Sequence, residues 1–177
     1  MTGSGSPITV LSRAIDQTGD VLVHVHEDQL TRPTPCPEWQ VSRLVDHLVA
    51  APGAFLAMMR GEDVDWSAEP PHVSQDWAGA FRSAADDLIH AWHQKDPSEA
   101  AGADWQTAEF AVHTWDLMRA IGRSTDDLDP EVAERGLAFM KANLSEDRRG
   151  AAFAAEQPAP EGGSAYDRLA AFAGRTP

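Results

Sequence analysis

One cysteine, Cys36, stands in a chain of 177 residues, so no internal disulfide can form, and this usage suits a reducing compartment. Cationic side chains are scarce: 14 Lys and Arg face 28 Asp and Glu, for a formal charge of −14. That balance repels phosphate backbones and anionic lipid surfaces, and the few arginines do not gather into a stripe. Nucleic acid and membranes are therefore not expected as partners. No apolar run is read as approaching membrane-spanning length, and the opening MTGSGSPITV lacks the basic and apolar regions of a secretory signal. A cytoplasmic protein is expected.

Convincing strand alternation and internal repeats are also missing. What is present is helical periodicity, in a chain long enough for one domain with a real core, residues 1–177. After a short Gly/Ser lead expected to be disordered, Leu11, Ala14, Ile15, Thr18, Leu22 and Val25 recur at helical spacing. TRPTPCPEWQ follows, and Pro33, Pro35 and Pro37 predict a stiff, extended connector up to Trp39.

A second helix places Val41, Leu44, Val45, Leu48, Ala51 and Phe55 on one face with Asp46 pointing away, and Pro52-Gly53 predicts a kink or break. An acidic, proline-rich loop leads to a third helix with Trp77, Phe81, Ala84, Leu88 and Trp92 inward. The fourth helix is expected from Asp104, as N-cap, to Ile121, with Gly122 as its stop. A shorter helix from Glu131 to Asn143 enters through Pro130. SEDRRGAAFAAEQPAPEGGS reads as mostly irregular, and YDRLAAFAG as a closing helical turn or two. Four long amphipathic helices point to an all-α fold, a four-helix bundle with short additional C-terminal helices, and such bundles build metal sites from core-facing side chains.

The stretch AEFAVHTWDL puts Glu109 and His113 roughly 40° apart on the helical wheel, with Trp105 on the same side and Val112 bordering it. Asp116 falls between them in angle one turn on, placed to accept a hydrogen bond from a ligand imidazole. His47 borders the apolar stripe of the second helix and can meet the pair across the core. Two imidazoles and one carboxylate make a three-ligand site for a divalent ion with positions left for water or substrate. A cation would also relieve the cost of burying an unpaired carboxylate. The same spacing suits a hydrogen-bonded core pair, or a solvated edge with no role.

His90, His93 and His24 project away from the apolar stripes and read as surface residues. His26 is borderline, and His72 lies in the proline-rich loop. Cys36 lacks the paired spacing of a structural zinc site and reads as a packing residue. Trp39, Trp105 and Trp115 read as core anchors.

PTPCPEWQVSRLVDHLVA and AEFAVHTWDLMRAIGR resemble the two signature segments of the actinobacterial DinB-like metal-binding proteins, a group that includes the N-terminal domain of mycothiol-dependent maleylpyruvate isomerase. DRLAAFAGRTP resembles the tail of the smaller, single-domain members. The resemblance implies a DinB-like four-helix bundle with His47, Glu109 and His113 as metal ligands. Zinc is the default ion, and nickel or iron(II) also fits the ligand set. It further implies a small-molecule thiol, such as mycothiol, that binds at the metal and attacks a small electrophile.

Two departures stand out. The chain has no room for the isomerase's second domain, and Pro52-Gly53 follows closely after His47. An S-transferase or thiol-assisted isomerase is one expectation. The other is a non-enzymatic, metal-stabilised helical domain that binds a small molecule or a partner protein. A homodimer is the expected assembly, because isologous dimers are the commonest.

Overall fold

The computed structural model describes residues 5–150 and 153–177. The lead expected to be disordered falls largely on residues 1–4, which lie outside the described residues, as do residues 151 and 152 of the irregular segment. Among the described residues the chain is all-helical: α1 (Pro7–Leu22), α2 (Val41–Met59), α3 (Trp77–His93), α4 (Ala103–Ala120), α5 (Pro130–Asn143) and α6 (Ala165–Phe172).

Local chemistry explains the boundaries. Ser6 caps α1 by accepting from the Thr9 amide, with Pro7 at the first helical position. Asp129 caps α5 ahead of Pro130, and a Ser164/Asp167 capping box opens α6. Gly122, at φ +74°, ends α4 as the sequence predicts. Asp104 is not the N-cap of α4, however. The helix starts one residue earlier, and Asp104 sits in its first turn, bound by the Arg135 guanidinium of α5. An acid there still favours the positive end of the helix dipole.

α1 packs against α3 and α4, α2 packs against the same two helices, and α5 and α6 lie on α4. Phe110 of α4 meets Phe55 of α2 and Phe81 of α3 edge-to-face, at centroid separations of 5.9 and 5.8 Å. Such pairs contribute about 0.5–1.5 kcal/mol each beyond their buried area. Gly136 lets α5 approach α4 closely, since a Cβ there would stand 3.1 Å from the Ala108 Cα. With neighbours on nearly every side, α4 buries every residue from Phe110 to Met118.

Three expectations are corrected. The helix containing Pro52 is not broken: α2 runs through from Val41 to Met59, because the proline forfeits one backbone hydrogen bond and crowds one carbonyl while packing on both flanks holds the remaining turns. The proline-rich connector is not extended. Its ends close on each other through Thr34 N–H to Trp39 O at 3.0 Å, with Glu38 at φ +66° making the turn. Prolines restrict φ but leave ψ free to reverse the chain. Finally, the 19 residues of α2 are long and apolar enough, by length and composition alone, to cross a membrane, although half of that stretch is buried inside the protein. A core helix flanked by apolar partners passes the same test, and Arg43, Asp46 and His47 interrupt the run.

Candidate functional site

His47 comes from the middle of α2, and Glu109 and His113 from successive turns of α4, where the two helices pack together. The structure brings all three together: one ligand-capable atom from each lies within 4.8 Å of the others. A single oxygen, Glu109 Oε1, is shared by His47 Nε2 at 2.7 Å and His113 Nε2 at 3.2 Å. The two imidazoles meet edge to face at 4.8 Å. All three side chains are nearly buried, with 13% of Glu109 exposed as the largest share.

Behind His113, its Nδ1–H donates to Asp116 Oδ2 at 3.1 Å. Asp116 in turn accepts from Arg175 Nη2 at 2.9 Å and Nε at 3.1 Å. Arg175 belongs to the C-terminal tail and is only 2% exposed. Sequence reading missed it, because a lone arginine in GRTP has no periodicity to mark it as buried. The need to neutralise a buried Asp116 was the available signal.

These contacts set the charges. Burial alone pushes the Glu109 carboxyl up, but the charge of His113 and hydrogen bonds from His113 and His47 overcome it and hold Glu109 well below the usual carboxylate range. Burial alone would lower His113. The charge of Glu109 and the bond to Asp116 instead raise it to about 9. Asp116 stays ionised against its burial through its bond to His113 and the Arg175 charge.

Aromatic rings form the walls. Trp39, from the connector, stacks on His113 at 5.7 Å with an interplanar angle of 11°, and the Arg43 guanidinium lies over the Trp39 ring, 5.1 Å from its centroid. Trp66, from the loop after α2, tilts against His47 at 6.1 Å. Trp105 is 38% exposed and packs on Phe55, so it is a rim residue rather than the core anchor expected. Trp115 alone of the three predicted anchors is fully buried.

Asp46 is another correction. It faces away from the apolar stripe of α2, yet it is buried, accepting from the Val73 amide at 2.9 Å and lying 3.0 Å from His72 Nδ1. The loop of residues 61–75 folds back over that side of the helix and is fastened there by Asp46. His72 itself is 69% exposed. His24, His26, His90 and His93 are exposed. Cys36 is buried, and its sulfur groups with His113 and Asp116 within the same 4.8 Å limit. Burial pushes its thiol up to about 12, so it remains protonated at neutral pH.

Two cavities flank the centre. One, about 140 Å³, lies between α4, α5 and the segment after α5, with Glu109 in its wall. The other, about 170 Å³, lies between α2 and the 61–75 loop, with His47 in its wall.

Comparison with known proteins adds to this geometry. Two uncharacterized proteins, each from one of two strains of Mycobacterium tuberculosis, are 35% identical to the chain over 188 aligned residues, covering 96% of this chain and 98% of each relative. No solved structure matches at comparable stringency. A family model described as the mycothiol maleylpyruvate isomerase N-terminal domain matches residues 11–118, a span that contains His47, Glu109 and His113 and ends before α5. With that match across more than half its length, the chain belongs to the mycothiol maleylpyruvate isomerase N-terminal domain family.

Proposed function

We propose that this protein holds a divalent metal ion, zinc by default, through His47, Glu109 and His113, and uses it in thiol chemistry on a small electrophile as a mycothiol-type S-transferase or thiol-assisted isomerase. The observation that carries the reading is the convergence of two imidazole nitrogens and one carboxylate oxygen within 4.8 Å. The donor set suits a first-row divalent ion. Donors bound at about 2.1 Å to one cation stand roughly 3.4 Å apart, and the 2.7 and 3.2 Å separations need little opening to reach that spacing. A cation also satisfies the buried Glu109 charge without a proton on His113.

When bound, the ion supplies Lewis acidity that lowers the pKa of a thiol at its open side. The chain does the rest. Asp116, held by Arg175, fixes the His113 ring with Nε2 toward the centre. Trp39 and Trp66 cover the imidazoles and limit water. Cys36, buried and protonated, is unsuited to attack, which leaves the sulfur nucleophile to a small molecule. Helices α1–α4 are read as the DinB-like four-helix bundle of a single domain.

Protein purified without chelators is expected to carry about one divalent ion per chain by elemental analysis. His47→Ala should carry none and lose thiol conjugation of small electrophiles. Stoichiometric metal in that variant would overturn the ligand assignment.

A further inference from the structure

The cavity beside Glu109 is unlike the centre it adjoins. Its wall is built by Trp105, Val112, Phe139, Met140, Leu144 and Phe153, with Asn143 as a neutral polar group at the rim. Among the described lining residues Glu109 is the only charged one, and none is Lys or Arg. Five of the nine described lining residues come from α5 and the segment after it, which lie beyond the family match ending at residue 118. The close seating of α5 at Gly136 fixes its distance from α4.

Size and chemistry select the occupant. A volume of about 140 Å³ has room for about one benzene ring, as an apolar cavity of about 150 Å³ does. An anionic group seated among these apolar side chains would lose its hydration and find no Lys or Arg among the described lining residues to replace it. The second cavity offers an anion nothing better, since Asp65 and Glu69 line it beside His47.

We infer that the electrophile enters with an uncharged, apolar group no larger than about one benzene ring, seated in the pocket between α4 and α5 with its reactive carbon toward Glu109. This rests on the thiol-transfer reading above and adds the substrate class to it. Electrophiles anionic at both ends are poor substrates, because neither cavity holds the second charge.

The test uses the full chain loaded with zinc and two probes of similar shape: toluene, and benzenesulfonate, whose sulfonate is a poor zinc ligand. Indole N–H signals are followed by NMR, with that of Trp105 assigned from Trp105→Phe. Toluene is expected to shift the Trp105 signal saturably, and benzenesulfonate to bind at least tenfold more weakly. Equal or tighter binding of benzenesulfonate, or an unmoved Trp105 at aqueous saturation of toluene, would overturn the inference.

Leu144→Trp fills the pocket and should abolish toluene binding with zinc content unchanged; undiminished toluene binding would count against the placement. Should that variant fail to fold, Asn143→Lys at the exposed rim serves instead. It is expected to raise benzenesulfonate affinity at least threefold, and no rise would refute the charge argument. Zinc content measured on the same samples separates the two readings. A zinc-free chain that still takes up toluene sinks the metal centre and upholds the pocket's selectivity, whereas a zinc-loaded chain that refuses toluene does the reverse.

Discussion

Glu109 and Asp116 are two buried carboxylates on the same helix, about two turns apart, and the fold neutralises them in opposite ways. Asp116 has a permanent cation: Arg175 reaches it with two N–H groups, and a guanidinium does not titrate in any ordinary pH range. Glu109 has only imidazoles, whose charge can be exchanged for a proton or a metal ion. A built-in cation makes a fixed post, while a titratable pair makes a place where a cation can come and go. His113 links the two, holding Asp116 by Nδ1 and facing Glu109 by Nε2.

Removing the permanent cation should have the largest effect. Arg175→Ala strands the buried Asp116 charge and is expected to cost about 3–5 kcal/mol, read as a lower denaturation midpoint at unchanged slope. Arg175→Lys should recover only part of this, since an ammonium cannot reproduce the two-toothed contact. A loss below about 1 kcal/mol in Arg175→Ala would erase the distinction between the two carboxylates.

The exchangeable side should show itself in pH dependence. In the metal-free chain His113 is raised to about 9 from 6.5, so the stability it contributes is fully present below about pH 6.5 and lost as pH rises through about 9. The depressed Glu109 runs the other way, contributing above its ordinary value of 4.5 and losing that contribution as pH falls through its lowered pKa. Glu109→Gln should bring the His113 titration down toward 6.5, followed by its ring NMR signals, and flatten the alkaline loss of stability. Zinc affinity of the unaltered chain should climb with pH up to about 9, where the competing proton leaves His113. A His113 titration unmoved by Glu109→Gln would show that the pair is not coupled.

The smallest effect belongs to an ion pair outside the core. Arg82 Nη2 lies 2.7 Å from Asp20 Oδ1 between α3 and α1, with 46% and 76% of the two side chains exposed. Arg82→Ala should change stability by less than about 0.5 kcal/mol and leave zinc uptake intact. A larger loss would mean that burial is not what separates strong pairs from weak ones here.

Much of the fold was legible because helices carry their own periodicity: the stripes through Leu11, Leu44, Phe81 and Leu88 all became core. The angle between Glu109 and His113 was legible for the same reason, as was the reach of Asp116 to the His113 ring, both being distances within one helix. Asp46 was misjudged because a helical wheel knows only its own helix, and the side it shows as outward is covered by a loop that returns 27 residues later. Trp66, the α5 wall of the apolar pocket and the Arg175 tail left no periodic trace, since each matters through a surface it meets far along the chain.

What the sequence by itself determined is therefore the set of helices, their apolar faces, and the Glu109/His113 pair, because these depend on a repeat of 3.6 residues and on capping chemistry. Only tertiary packing decided that His47 meets Glu109 across 62 residues, that Arg175 rather than water balances Asp116 across 59, and that a largely apolar pocket opens beside them. Local torsions fix which way a side chain leaves its helix; what it then meets depends on how separate helices share one buried volume.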